Sequence, residues 1–130
     1  MAWVFADEAT QETDRLRDSL IGGRVFVPAL WPIEVGNVLW VASSRGRITR
    51  DEWKRVRNSL KALPVEIEPV SASRVWEAVL MLADEHGLSV YDAMYLELAL
   101  RMQLPLATLD RTLAAAAIAA GIEVPTLARG

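Results

Sequence analysis

With 130 residues, 52% hydrophobic and 24% charged, the chain has the size and composition of one globular domain, read as residues 1–130. The absence of cysteine excludes disulfides and thiolate metal sites and fits a reducing cytoplasm, and the single histidine, His86, excludes a poly-histidine zinc site. No apolar run approaches the ~20 residues that span a bilayer, so no membrane association is expected. The net charge of -3 conceals a basic stretch: seven of the fourteen Lys and Arg residues fall between Arg45 and Lys61.

In chain order, Met1–Phe5 is a short apolar run, followed by an amphipathic pattern from about Glu12 to Leu20 that stops at Gly22–Gly23. Arg24–Pro28 reads as a buried strand ended by its proline. Trp31-Pro32-Ile33-Glu34 opens a helix with proline in the first turn, running through Val35, Val38, Leu39 and Ala42 to Gly46. Thr49-Arg50-Asp51-Glu52 is a capping box that opens a helix to about Leu63, with Trp53, Val56 and Leu60 inward. Val65–Glu68 is a strand, and Ser71 or Ser73 caps a helix closed by His86-Gly87. Ser89 followed by Asp92 caps the next helix, whose apolar surface is Met94, Tyr95, Leu98, Ala99 and Met102. Residues 105–108 form a strand, Arg111–Ala120 an alanine-rich helix ended by Gly121, and 122–125 a last strand. Short strands alternating with capped helices, without hairpin turn signals, predict an α/β fold on a parallel sheet of about residues 24–28, 65–68, 105–108 and 122–125.

Three acids stand where a predicted strand gives way to a helix: Glu34, Asp92 and Asp110. Taken alone, Asp92 is better explained by helix capping, because unpaired N–H groups and the helix dipole favour an anion there. Three such acids at the carboxyl edge of one sheet would repel each other unless a cation held them. Oxygen ligands without Cys or nearby His favour Mg²⁺ or Mn²⁺, an ion that lowers the pKa of bound water and polarises a phosphoryl oxygen, as phosphodiester hydrolysis requires. Asn37, one turn after Glu34, and Thr108, two residues before Asp110, are positioned to support such ligands. Arg45, Arg47, Arg50 and Lys54 form either a solvated helix face or a phosphate-contacting surface. Trp40 and Trp53 are read as core or dimer packing, and His86 as a partner of a helix C-terminus.

The segments Pro28-Ala29-Leu30-Trp31-Pro32-Ile33-Glu34-Val35-Gly36-Asn37-Val38-Leu39, Gly87-Leu88-Ser89-Val90-Tyr91-Asp92-Ala93 and Ala107-Thr108-Leu109-Asp110-Arg111 resemble the signature segments of PIN-domain ribonucleases, especially VapC-type toxins of bacterial toxin–antitoxin pairs. Trp3–Glu8 is similar to the segment after that family's first strand. The resemblance implies a three-layer α/β/α domain, an acidic Mg²⁺ or Mn²⁺ site made of Glu34, Asp92 and Asp110, and endonucleolytic cleavage of RNA. It also implies a homodimer and a cognate antitoxin whose tail crosses the site. In the family a central strand ending in a metal-binding Asp precedes the Trp3 segment. That strand and its Asp are expected to be missing here, because the true start lies upstream, or with Ala2–Phe5 repurposed as a strand, or with another chain filling the gap; without a first strand the activity is expected to be weak or absent. Asp7 and Glu8 match a later acidic pair and are not assigned to the vacant role. Two other readings stand beside the enzyme: a non-catalytic PIN-fold binding module that keeps the antitoxin and dimer surfaces, and a receiver-like phosphoacceptor. The second fits poorly, because the last lysine is Lys61 and a receiver needs one at a late strand end.

Overall fold

A computed structural model describes residues 2–5, as backbone, and 25–125. The helix expected from Glu12 to Leu20 and the acids Asp7 and Glu8 lie outside the described residues. Four strands form one sheet: β1 (Ala2–Phe5), β2 (Val25–Pro28), β3 (Val65–Glu68) and β4 (Leu106–Thr108), in the order β3-β2-β1-β4. Among the described residues, five helices connect and cover them: α1 (Trp31–Ser44), α2 (Arg50–Lys61), α3 (72–86), α4 (Val90–Met102) and α5 (Arg111–Ala119).

β2 and β3 are parallel, with Val25 opposite Val65 and Val27 opposite Ile67. β1 lies between β2 and β4 and is antiparallel to both, so β2, β3 and β4 all point one way. The parallel arrangement expected of the later runs therefore holds for three of them. The repurposing of Ala2–Phe5 as a central strand is borne out, although that strand runs against the rest. One detail is corrected. Residues 122–125 are not a strand: the Leu106 N–H donates to the Glu123 carbonyl at 2.9 Å, but the run continues into Pro125, which has no N–H to extend a ladder.

The caps formed where the sequence places them. Thr49 and Glu52 make both bonds of the capping box, at 3.1 and 2.8 Å. Ser71 accepts from the Arg74 N–H at 3.1 Å and Ser89 from the Asp92 N–H at 3.0 Å, each satisfying a donor that the helix itself leaves unpaired. Gly87 ends α3 in the left-handed conformation, φ 66°. Within α3 the register changes: Ala72–Arg74 is α-helical, Val75–Val79 is π-helical and Leu80–His86 is α-helical again, which the apolar spacing does not mark.

The core is organised on α4. Ala93, Tyr95, Leu96, Leu98 and Ala99 are at most 1% exposed, and the helix packs on β1, β2, β4, α3 and α5. Glu97, in the same turn, is buried too; its carboxylate accepts from Arg101 Nε at 2.9 Å and Arg74 Nη1 at 3.1 Å, locking α3 to α4. On the outer side, α1, α2 and β3 enclose an apolar groove of about 290 Å³ lined by Trp31, Val35, Leu39, Leu60, Val65 and Ile67, with Arg57 and Lys61 at its margin. Trp40 is 67% exposed, so it is not core; Trp53 is half-buried beneath the Arg57 guanidinium, 5.4 Å from its ring.

Candidate acidic site

β2 and β4 run in the same direction, so the residues just past their ends emerge at the same edge of the sheet. Glu34 follows β2 through the turn at Ala29–Leu30 and lies in the first turn of α1, whose start has Pro32 but no side-chain cap. Asp110 follows β4 directly and is the N-cap of α5: its Oδ1 accepts from the Leu113 N–H at 2.9 Å. Asp92 lies in the first turn of α4, behind the Ser89 cap.

The electrostatics tie the three together. Partial burial, and then the charge of Asp110, push the Asp92 carboxyl above the ordinary aspartate range; the charge of Glu34 adds to this, while the Ser89 hydroxyl opposes it. Asp92 therefore senses both other acids, and a cation among them would relieve the repulsion. The carboxylates are not drawn into a ready-made cage: among the described residues no three acidic or histidine side chains are gathered as a metal-binding group. Such a donor set fits Mg²⁺, which commonly keeps several waters and takes only one or two carboxylates directly.

The supporting residues differ in what they do. Thr108 is 9% exposed, and its hydroxyl accepts from the Asp110 N–H at 3.0 Å, so it fixes the backbone that carries Asp110. Asn37 is exposed on α1, one turn beyond Glu34. Arg45, Arg47, Arg50 and Lys54 are exposed around the α1–α2 connection. At 1.5 Å per residue, Arg45 stands about 16 Å along α1 from Glu34, too far to touch any group that the acids would hold.

One residue of the site was not anticipated. The Tyr95 hydroxyl donates to Glu34 Oε1, joining α4 to α1. Burial, and then the bond to Glu34, push the phenol far above the ordinary tyrosine range, so it stays a donor. The available signal was its spacing: three residues after Asp92, it shares that acid's helix face. Each acid also has an exposed apolar neighbour in sequence, Ile33 (68%), Tyr91 (61%) and Leu109 (78%).

Residues 1–119 match the PIN domain family. The chain belongs to that family. Ribonuclease VapC3 of Pyrobaculum aerophilum is 37% identical to this PIN domain over 81 residues, a match that covers 62% of each chain. The crystal structure of PAE2754, also from Pyrobaculum aerophilum, superposes with a TM-score of 0.64 at 24% identity, covering 90% of both chains, a likeness of fold. The α/β PIN-like fold expected from the signature segments is therefore the fold of this chain. No helix among the described residues of this PIN domain is long and apolar enough to cross a membrane.

Proposed function

We propose that this single-domain chain is a metal-dependent endoribonuclease, the toxin of a toxin–antitoxin pair acting in the cytoplasm. The observation that carries the reading is that Glu34 and Asp110 follow strands of one direction at one sheet edge, and that the charges of both add to burial in raising the Asp92 carboxyl above the ordinary aspartate range. Membership of the PIN family and the likeness to a ribonuclease VapC support it.

Glu34, Asp92 and Asp110 would hold Mg²⁺ or Mn²⁺, which when bound supplies an activated water and a Lewis acid for the scissile phosphate. The rest of the work falls to the chain. The α4 and α5 N-termini direct unpaired N–H groups and positive dipole ends toward an anion. Thr108 fixes Asp110, Asn37 is available to a metal-bound water, and Arg45, Arg47, Arg50 and Lys54 hold phosphates remote from the cut. The exposed Ile33, Tyr91 and Leu109 and the groove lined by α1, α2 and β3 suit the cognate antitoxin and a second copy in a homodimer.

The looseness of the carboxylates favours a second reading, a PIN-fold binding module that keeps those surfaces without catalysis. Cleavage of a mixed RNA substrate in Mg²⁺ or Mn²⁺ separates the two. Cleavage by the wild type that EDTA and Asp92→Asn both abolish supports the enzyme. Equal background cleavage in every sample rejects it and leaves the binding module.

A further inference from the structure

We propose that Tyr95 is a positioning residue for Glu34, holding its carboxylate in place for the divalent cation through the hydroxyl bond across α4 and α1; this rests on the metal-site reading above. The three acids are restrained differently. Asp110 is fixed by its own helix, through the Leu113 N–H, and by Thr108 on its backbone. Asp92 lies one turn from its cap, on the helix at the centre of the core. Glu34 has neither support: the helix start before it lacks a side-chain cap, and its side chain has more rotatable bonds to freeze than an aspartate. Its hydrogen-bond partner among the described residues is Tyr95.

Tyr95 suits the task. Its ring is 1% exposed and clamped in the core, so the hydroxyl stands on a rigid base. The bond uses Oε1, leaving Oε2 without a hydrogen-bond partner among the described residues. A carboxylate held at one oxygen by a neutral donor keeps its negative charge and its second oxygen for a cation, the usual relation between a metal ligand and the group behind it. A purely structural reading also exists: a buried phenol needs an acceptor, and Glu34 supplies one. The two readings differ in whether losing the hydroxyl changes cation binding by folded protein.

The test is Mn²⁺ titration of the full chain by calorimetry, with folding checked by circular dichroism. The proteins are the wild type, Tyr95→Phe, Glu34→Gln, the double variant and Glu34→Asp. Tyr95→Phe should weaken Mn²⁺ binding by about 10- to 100-fold while folded, and add nothing in the Glu34→Gln background. Glu34→Asp keeps the ring and the charge but withdraws the carboxylate from the hydroxyl; it should weaken binding as well, and keeps the test open if Tyr95→Phe does not fold. Unchanged affinity in folded Tyr95→Phe, or in Glu34→Asp, overturns the role of Tyr95 and leaves the metal site standing. An equal loss from Tyr95→Phe with and without Glu34 also overturns it, because the tyrosine then acts elsewhere. Absence of Mn²⁺ binding by the wild type overturns the metal reading itself, and this inference with it.

Discussion

Replacing Glu97 by Gln keeps the shape of the side chain and removes its charge from a place water hardly reaches. The carboxylate is 5% exposed and accepts three bonds: from Arg74 Nη1 and Arg101 Nε at Oε2, 3.1 and 2.9 Å, and from Arg101 Nη2 at Oε1, 3.3 Å. An amide oxygen at the Oε2 position retains the first two as ordinary hydrogen bonds, each weaker by about 1 kcal/mol than its charge-assisted counterpart. The amide NH₂ then faces the Arg101 Nη2 donor, and the third, longest bond is lost. Both arginines retain contact with water, at 44% and 27% side-chain exposure, which softens the penalty of leaving them less well matched. The expected net loss is about 2 kcal/mol, equivalent to a fall in Tm of roughly 6–10 °C for a chain of this size. Urea unfolding followed by circular dichroism measures it. A Glu97→Gln midpoint within about 0.5 kcal/mol of wild type would refute the view that this cluster locks α3 to α4.

Asp92→Asn should raise stability in EDTA while abolishing cleavage, since burial and the neighbouring acids raise the Asp92 pKa in the folded state. The sign is definite: the folded state holds this proton more tightly, so the wild type loses stability as pH rises from 3.8 through the raised folded value, and the Asn variant lacks that loss. Thr49→Ala should cost about 1 kcal/mol through the α2 cap. Glu52 behaves oppositely to Asp92. The bond from the Thr49 N–H holds its pKa below 4.5, so its contribution is present above that value and lost as pH falls through the folded one; melting Glu52→Gln beside wild type from pH 7 to 3 should show the gap closing. Gly87→Ala should destabilise by about 1 kcal/mol through the left-handed backbone alone, because a Cβ there meets nothing within 4 Å; thermal melts measure it.

What the sequence made legible was mostly local. Ser89, Thr49 with Glu52, Ser71, Pro32 and Gly87 each act within a turn of chain, and each marks its helix boundary in the structure. The buried face of α4 was also readable, because Tyr95, Leu98 and Ala99 repeat at helical spacing. Long-range features were not. Whether Ala2–Phe5 runs with or against β2 depends on partners far along the chain, and no local preference encodes that direction. The apolar spacing of α1 includes Val38, yet Val38 is 55% exposed, because periodicity marks a face without showing what, if anything, covers it. At the candidate site, sequence position singled out the three acids but not the Tyr95 bond, which joins residues brought together only when α1 and α4 pack.

β1 works as the keystone of the sheet. Val4 sits opposite Phe26 on one side and Leu106 on the other, so four residues carry the backbone hydrogen bonding between a β3–β2 half and a β4 half. Those halves come from distant parts of the chain, and joining them is a non-local step of the kind that slows folding. If β1 slips out, two unsatisfied strand edges open at once in the middle of the molecule, above the apolar face of α4. Such a gap presents backbone donors and acceptors on both sides, so the strength with which these four residues are held sets how well the middle of the sheet stays closed to any other extended segment.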